Sequence, residues 1–395
     1  MSELSASEYL TPRERLAYSQ GGAPRIGAND VDAIMSMTNR DTTSTTSLVH
    51  SVFDAQYTWD YTKGARKQLD KLYEKAKQSQ WNASTDLDWS ISVDEEKVAH
   101  ELSVSAPGDG WFMEQATAPG GPLQHWGEKE WLRLGIEGQN WRLSQFLHGE
   151  QGALICTARI AETVPWYDAK LYAATQVVDE ARHVEVFARY LSEKLSGYYP
   201  INAHLQALLD DIVRDSRWDI TYLGMQVMVE GLALAAFGFM HMLTTEPLLK
   251  NLLRYVMSDE ARHVAFGVLS LKEAYDSMSA AEILERQEFA YEAGIRMRDR
   301  FLMQEVWDRT GIDVKAMVKL QLSMPAEFKD FQRLLFSKIV PNCKKLGLLD
   351  AGDGWLRQKW TNLGVIEFED WANTGDEYLE LDHVAADRES GALVA

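Results

Sequence analysis

The chain has 395 residues, 46% of them hydrophobic and 25% charged, which suits one large globular unit or two smaller ones. A net charge of -19 argues against nucleic acid as a partner, because such a surface repels phosphate backbones. Two cysteines, Cys156 and Cys343, cannot make a disulfide framework for a chain this long, so a reducing cytoplasm is the expected setting.

Residues 1–124 read as an N-terminal arm with short helices. Its first 30 residues are polar and lack the apolar core of a signal peptide. Over residues 62–80, Leu69, Leu72 and Tyr73 fall on one side with lysines around them, which predicts a helix. Residues 103–124 carry Pro107, Gly108, Gly110, Pro119, Gly120, Gly121 and Pro122, which is loop chemistry.

Residues 125–278 predict four helices, at about 126–163, 166–195, 216–243 and 247–275. Pro165 stops the first, Gly197 and Pro200 follow the second, and Pro247 suits a first helical turn. No stretch of 18 or more residues is uniformly apolar, so no membrane span is expected. Residues 279–395 predict further helices at about 281–308, 312–323 and 326–346, the last stopped by Gly347. A frayed acidic tail is expected from about Thr374. No alternating strand pattern is present between residues 126 and 346, so the fold class is all-α, with flanking helices around a four-helix bundle.

One internal repeat carries the chemistry. Residues 179–184 and 259–264 both read Asp-Glu-Ala-Arg-His-Val. Each copy follows a helix with a glutamate in an apolar run, Glu150 and Glu230. The pairs Glu150 and Glu230, Glu180 and Glu260, and His183 and His263 are each separated by 80 positions. A duplicated helical hairpin is the simplest source of such an offset.

Glu180 and His183 lie three apart, on one helical face, with Ala173, Gln176, Val177, Val184 and Phe187. Glu260 and His263 share a face with Leu253, Val256, Met257, Val264 and Gly267. Both pairs therefore point inward. A lone Glu-x-x-His is usually a surface pair, but four glutamates and two histidines aimed at one core cannot be left uncompensated. One Glu from each of two helices plus Glu-x-x-His from each of two others is the ligand pattern of dinuclear carboxylate bundles. Mixed carboxylate and imidazole donors suit iron or manganese.

Asp179 and Asp259 read either as solvated residues or as groups orienting a histidine of the facing pair. Arg182 and Arg262 are expected to pair with acids near the bundle surface. Gln226, one turn before Glu230, is a pocket candidate, as are Phe187, Leu234 and His241. Leu147, Leu154 and Val227 would complete apolar walls around the substrate. His241 reads more simply as a hydrogen-bonded core histidine, and His148 as a polar contact. Cys156 reads as a small buried residue, and Tyr172, Tyr190 and Tyr222 as packing.

The doubled Asp-Glu-Ala-Arg-His resembles the Asp-Glu-x-Arg-His signature of bacterial multicomponent monooxygenase hydroxylases. More broadly, residues 126–275 resemble the ferritin-like superfamily that includes ribonucleotide reductase small subunits and related diiron oxidases. The resemblance implies a ferritin-like bundle holding two iron ions that react with dioxygen, with a manganese–iron pair as a variant. It implies that Glu150 and His183 hold one ion, Glu230 and His263 the other, and that Glu180 and Glu260 bind or bridge both. Three positions depart from relatives. Phe187 stands where a radical-forming reductase subunit carries tyrosine, Leu234 where multicomponent hydroxylases usually have threonine, and Val256 where arylamine N-oxygenases have an additional histidine.

The function expected on these grounds is a diiron monooxygenase or oxidase that oxidises, most simply by hydroxylation, a small organic substrate. N-oxygenation, desaturation, iron storage with peroxide handling, and radical generation are the alternatives on the same ligands. No Gly-x-Gly-x-x-Gly loop and no cysteine cluster is present, so electrons are expected from a separate donor. A homodimer is expected on general grounds.

Overall fold

The computed structural model describes residues 29–39, 46–50, 54–104, 109–325 and 333–376, and all regular structure among them is helical. Four helices precede the bundle: α1 (Val31–Ser36), α2 (Lys67–Gln78), α3 (Glu95–Val104) and α4 (Asp109–Thr117). The last two correct the expectation of continuous loop from 103 to 124. Residues 105–108 lie outside the described residues; among those described, the turn chemistry there lies around Gly120, which has φ +85°.

The bundle consists of α5 (Glu128–Thr163), α6 (Tyr167–Lys194), α8 (Trp218–Leu243) and α9 (Pro247–Tyr275), with α7 (Ala203–Arg214) between its two hairpins. The α5–α6 and α8–α9 connections are only a few residues long, so each pair folds back on itself and packs along its length. Pro247 occupies the first turn of α9, and Glu246 caps that helix by accepting from the backbone N–H groups of Leu248 and Leu249. Helix α7 falls in a stretch to which the sequence reading assigned no element. Asn202 caps it, and Leu205, Leu208, Leu209 and Ile212 are its buried stripe.

Helix α8 is not a plain α-helix. Leu223–Val229 forms a π-helical segment, and the Glu230 N–H bonds to the carbonyl of Met225, five residues back. The widened turn presses against α9 at Gly267, where an added Cβ would lie 2.5 Å from Gln226 Cβ. By length and mean hydropathy alone α8 could cross a bilayer, but its apolar run is interrupted by Gln226 and Glu230. Here it is the central core helix, with 78% of its most apolar window buried, and it carries Glu230.

After the bundle come α10 (Ala280–Arg300), α11 (Gln304–Thr310), α12 (Val314–Ser323), α13 (Ile339–Lys345) and α14 (Ala351–Leu363). The single helix expected over 281–308 is broken at Met303, whose φ is +54°. The break carries Leu302 and Trp307 into a small separate core with Ile34, Leu123 and Met317. Of the expected 326–346 helix, residues 326–332 lie outside the described residues, and only Ile339–Lys345 forms a full helix before Gly347 at φ +79°. Of the tail expected from about Thr374, residues 377–395 lie outside the described residues, and Thr374 itself is held in place. It is buried, and its backbone N–H donates to Asn342 Oδ1 at 2.9 Å.

The main apolar core draws on residues from Leu69 to Phe368. The N-terminal arm belongs to it: α2 lies across both α6 and α9, and α3 against α5.

Candidate metal centre

Four bundle helices aim six side chains at one point. Glu150 comes from α5, Glu180 and His183 from α6, Glu230 from α8, and Glu260 and His263 from α9. All six are at least 96% buried. His183 Nδ1 faces three carboxylates at once: Glu150 Oε2 at 3.0 Å, Glu260 Oε1 at 3.2 Å and Glu180 Oε2 at 3.5 Å. His263 Nδ1 faces Glu180 Oε1 at 3.0 Å and Glu260 Oε2 at 3.7 Å. One N–H cannot serve three acceptors, so nitrogen and oxygens converge on a shared point rather than on one another.

The six sort into two groups. Glu150, Glu180, His183 and Glu260 each offer an atom within 4.8 Å of the others, and so do Glu180, Glu230 and His263. Glu180 belongs to both.

Behind each histidine stands the aspartate of the opposite repeat. His183 Nε2 lies 3.2 Å from Asp259 Oδ2, and His263 Nε2 lies 3.3 Å from Asp179 Oδ2. Arg182 binds Asp179 and reaches Asp259 at 3.3 Å, while Arg262 binds Asp259 and reaches Asp179 at 3.3 Å. These arginines are buried, which corrects their expected place near the surface. The arm is the reason. Trp81, just beyond α2, donates from Nε1 to Asp259 Oδ2 at 2.8 Å, and Gln80 accepts from Arg182 at 2.6 Å.

Gln176 binds the cluster from the side. Its Nε2 donates to Glu180 Oε1 at 3.0 Å and to Glu230 Oε1 at 2.9 Å. The equivalent residue in the second repeat is Val256, so only one half has this clamp.

In the metal-free protein the cluster recruits protons. Burial, and then the Glu260 carboxylate, push Glu150 up to about 8 against the pull of His183. Burial, with Glu180 and Glu260, pushes Glu230 well above the usual carboxylate range. Burial would also raise Glu180, but His263 and His183 outweigh it and hold that carboxyl low. Burial disfavours both imidazolium ions, yet the surrounding carboxylates raise His183 and His263 well above an ordinary imidazole. Asp259 and Asp179 are held low despite burial by the histidines and by Arg262.

The donor set fits two divalent ions. Six carboxylates (Glu150, Glu180, Glu230, Glu260, Asp179, Asp259) against two guanidiniums (Arg182, Arg262) leave four negative charges when the imidazoles are neutral, the charge that two such ions balance. Glu180 Oε2, Glu230 Oε2, Glu260 Oε2 and His263 Nδ1 are buried without a hydrogen-bond partner among the described residues, which leaves their lone pairs for a metal.

A cleft of about 320 Å³, counting its open mouth, reaches the cluster between α5 and α8. Its lining includes Phe146, Gly149, Glu150, Glu230, Ala233 and Arg300, and Glu260 also borders it. A second, apolar cleft meets it at Phe146 and includes Phe239, Met240 and Phe301. The expected pocket residues lie elsewhere. Gln226 donates to Thr157 Oγ1 at 3.4 Å. Phe187 stacks on Phe237 behind Phe146. Leu234 and His241 are half-buried on α8 and line neither cleft, nor do Leu147, Leu154 or Val227. The cleft opens on the 146/149/153 and 229/232/233 sides of the two helices, a face turned away from the one read from the sequence. His241 is not a core histidine either; burial, Lys250 and Arg254 lower its pKa.

The remaining candidates take structural places. His148 bonds the Tyr199 carbonyl at 2.9 Å, and Tyr190 donates to Glu246 at 3.1 Å. Tyr172 and Tyr222 both pack against Phe266, and burial pushes the Cys156 thiol up, away from its reactive form. Trp81 and Arg300 escaped the sequence reading. Neither lies in a motif, and their approach to the site depends on how the arm and α10 pack.

Neither a protein-family model nor a curated relative matches the sequence. Among solved structures, the chain is similar to an R2-like ligand-binding oxidase with an aerobically reconstituted metal cofactor after photoconversion. The match has 17% identity and a TM-score of 0.46, and covers 72% of this chain and 94% of that one. A single-site variant of an R2-like ligand-binding oxidase with an aerobically reconstituted Mn/Fe cofactor matches over the same shares, at 16% identity and a TM-score of 0.46.

Proposed function

We propose that this protein is a dinuclear non-haem metal oxidase or monooxygenase acting on a small organic substrate. Glu150, Glu180, His183, Glu230, Glu260 and His263 would hold two iron ions, or one iron and one manganese. The observation that carries the reading is the convergence of six buried donors whose charge and vacant lone pairs call for two cations. Such ions, when bound, supply redox chemistry: they pass electrons to dioxygen.

The chain's own residues do the rest. Asp259 and Asp179 accept from the Nε2 sides of His183 and His263, which fixes the rings and turns Nδ1 toward the carboxylates. Gln176 fixes Glu180 and Glu230 together. Phe146 and Ala233 give the cleft an apolar wall that limits water beside Glu150 and Glu230. Hydroxylation is the outcome we favour, because a cleft walled by Phe146, Val229, Leu232 and Ala233 leads to Glu150 and Glu230, the side from which an organic substrate would approach. Electrons would come from a separate donor, because both cysteines are buried and unpaired and no second redox group is evident among the described residues.

Metal analysis after anaerobic ferrous loading tests this reading. About two ions per chain are expected, with oxygen uptake that follows metal content and requires an added reductant. No stoichiometric metal under any loading condition would reduce the cluster to a buried charge network and remove the enzymatic reading.

A further inference from the structure

Arg300, the last residue of α10, is 97% buried, since only 3% of its surface is exposed. It lines the same cleft as Glu150, Glu230 and Glu260. Unlike Arg182 and Arg262, it forms no ion pair among the described residues, and its Nε is buried without a hydrogen-bond partner. Its guanidinium carbon lies 5.0 Å from the centre of the Phe301 ring. Burial lowers its pKa to about 10, and no acid offsets that effect.

A buried arginine is normally paired, because leaving its charge unmatched is costly. The six carboxylates, two other arginines and two divalent ions already balance without it, so the charge on Arg300 is left over. It stands where a ligand entering the cleft would meet it.

We propose that Arg300 is the docking residue for the carboxylate of the substrate, so that the substrate class is a small organic acid with an apolar body. The guanidinium fork matches a carboxylate bidentately, and Phe146, Val229, Leu232 and Ala233 accommodate the body beside it. Phosphate would suit the fork equally, but its second negative charge would face Glu150, Glu230 and Glu260 across one small cleft. The cleft is narrow, which favours a compact acid.

The inference rests on the metal-site reading for the reacting end of the substrate, while the anion anchor is testable separately. Isothermal titration of the iron-loaded protein at fixed ionic strength would compare hexanoate with hexanamide, benzoate with benzamide, and inorganic phosphate. At least one acid should bind tenfold or more tightly than its amide, and Arg300→Leu should abolish that preference by weakening the acid far more than the amide. Arg300→Lys, which keeps the charge but loses the fork, should retain part of it. Equal binding of acid and amide, no binding of either acid, or tighter binding of phosphate would each overturn the proposal. So would acid binding unchanged in Arg300→Leu, which would place the carboxylate on the metal ions instead. If Arg300→Leu does not fold, the wild-type acid-to-amide ratio and Arg300→Lys still decide. Metal content measured in the same samples separates the two readings: a protein that holds no iron but prefers acids through Arg300 keeps this inference and loses the other.

Discussion

The two repeats share a motif but differ in what surrounds it. Around the histidines they mirror each other, with each His backed by the aspartate of the other copy and each aspartate held by its own arginine. Around the single glutamates they diverge. Glu150 sits on a continuous α-helix and bonds His183, whereas Glu230 follows a π-helical segment and is clamped by Gln176. Both border the cleft, but only Glu230 has an uncharged side chain assigned to hold it. The two hairpins thus match in the layer that backs the histidines and differ in the part that borders the cleft.

The comparison breaks most decisively at Glu180, the one residue common to both donor groups. Glu180→Ala should abolish both metal sites, with content falling at least tenfold and oxygen uptake falling with it. Glu150→Ala and Glu230→Ala should each remove about one ion, because each belongs to a single group. Elemental analysis of the three variants checks this. Equal losses in all three would mean that the two groups act as one indivisible site.

Metal removal should expose the proton-recruiting character of the cluster. In the metal-free protein Glu150 at about 8, and the raised Glu230, His183 and His263, bind protons more tightly folded than unfolded. Their contribution to stability is therefore complete below the unfolded carboxylate value, about 4.3, and declines as pH rises toward and past 8. The lowered Asp259, Asp179 and Glu180 act in the opposite sense, so stability also falls in strong acid. Denaturant midpoints should then peak in mildly acidic solution without metal. With metal bound they should stay nearly flat from pH 6 to 8, since the ions take the place of the protons. A metal-free protein that is more stable at pH 8 than at pH 6 would contradict this assignment.

The six donors are legible in the sequence because periodicity places them on apolar faces, where an unpaired carboxylate is too costly to be accidental. The four long helices are legible for the same reason, with Pro165 and Pro247 marking their ends. Local pattern does not show what covers a face. Asp179 and Arg182 look solvent-facing on their own helix, and only the return of the arm, with Gln80 and Trp81, buries them. The π-segment is invisible to a 3.6-residue template, and that template does not show the cleft walls because it does not say which side of α5 and α8 a neighbouring helix leaves open. Arg300 lies 150 residues from Glu150 in sequence and meets it only through the packing of α10.

Gln176 sharpens the comparison further. Gln176→Val would copy the residue found in the second repeat and remove two hydrogen bonds to buried carboxylates. Hydrogen bonds to charged groups contribute about 1.5–3 kcal/mol each, so metal affinity on the Glu230 side should weaken about tenfold or more, with the Glu150 side less affected. Stepwise metal titration separates the two sites. Uniform weakening of both would show that the clamp works through Glu180 rather than Glu230.

The smallest effect is expected at the outer edge of the symmetric layer. Trp81→Phe keeps the ring that stacks on Tyr255, at 4.9 Å between centroids, but deletes the N–H that donates to Asp259. Asp259 still keeps Arg262 and Arg182 as partners, so it is not stranded. The loss should therefore be one ordinary buried hydrogen bond, about 1 kcal/mol of stability in a denaturant titration. Because Asp259 also faces His183 Nε2, the metal affinity of the His183 side should fall by a few-fold and that of the His263 side should not change, since Asp179 has no bond to Trp81. An equal fall on both sides would mean that the four-membered layer of Asp179, Arg182, Asp259 and Arg262 responds as one rigid unit, and that the arm steadies the whole centre rather than one half of it.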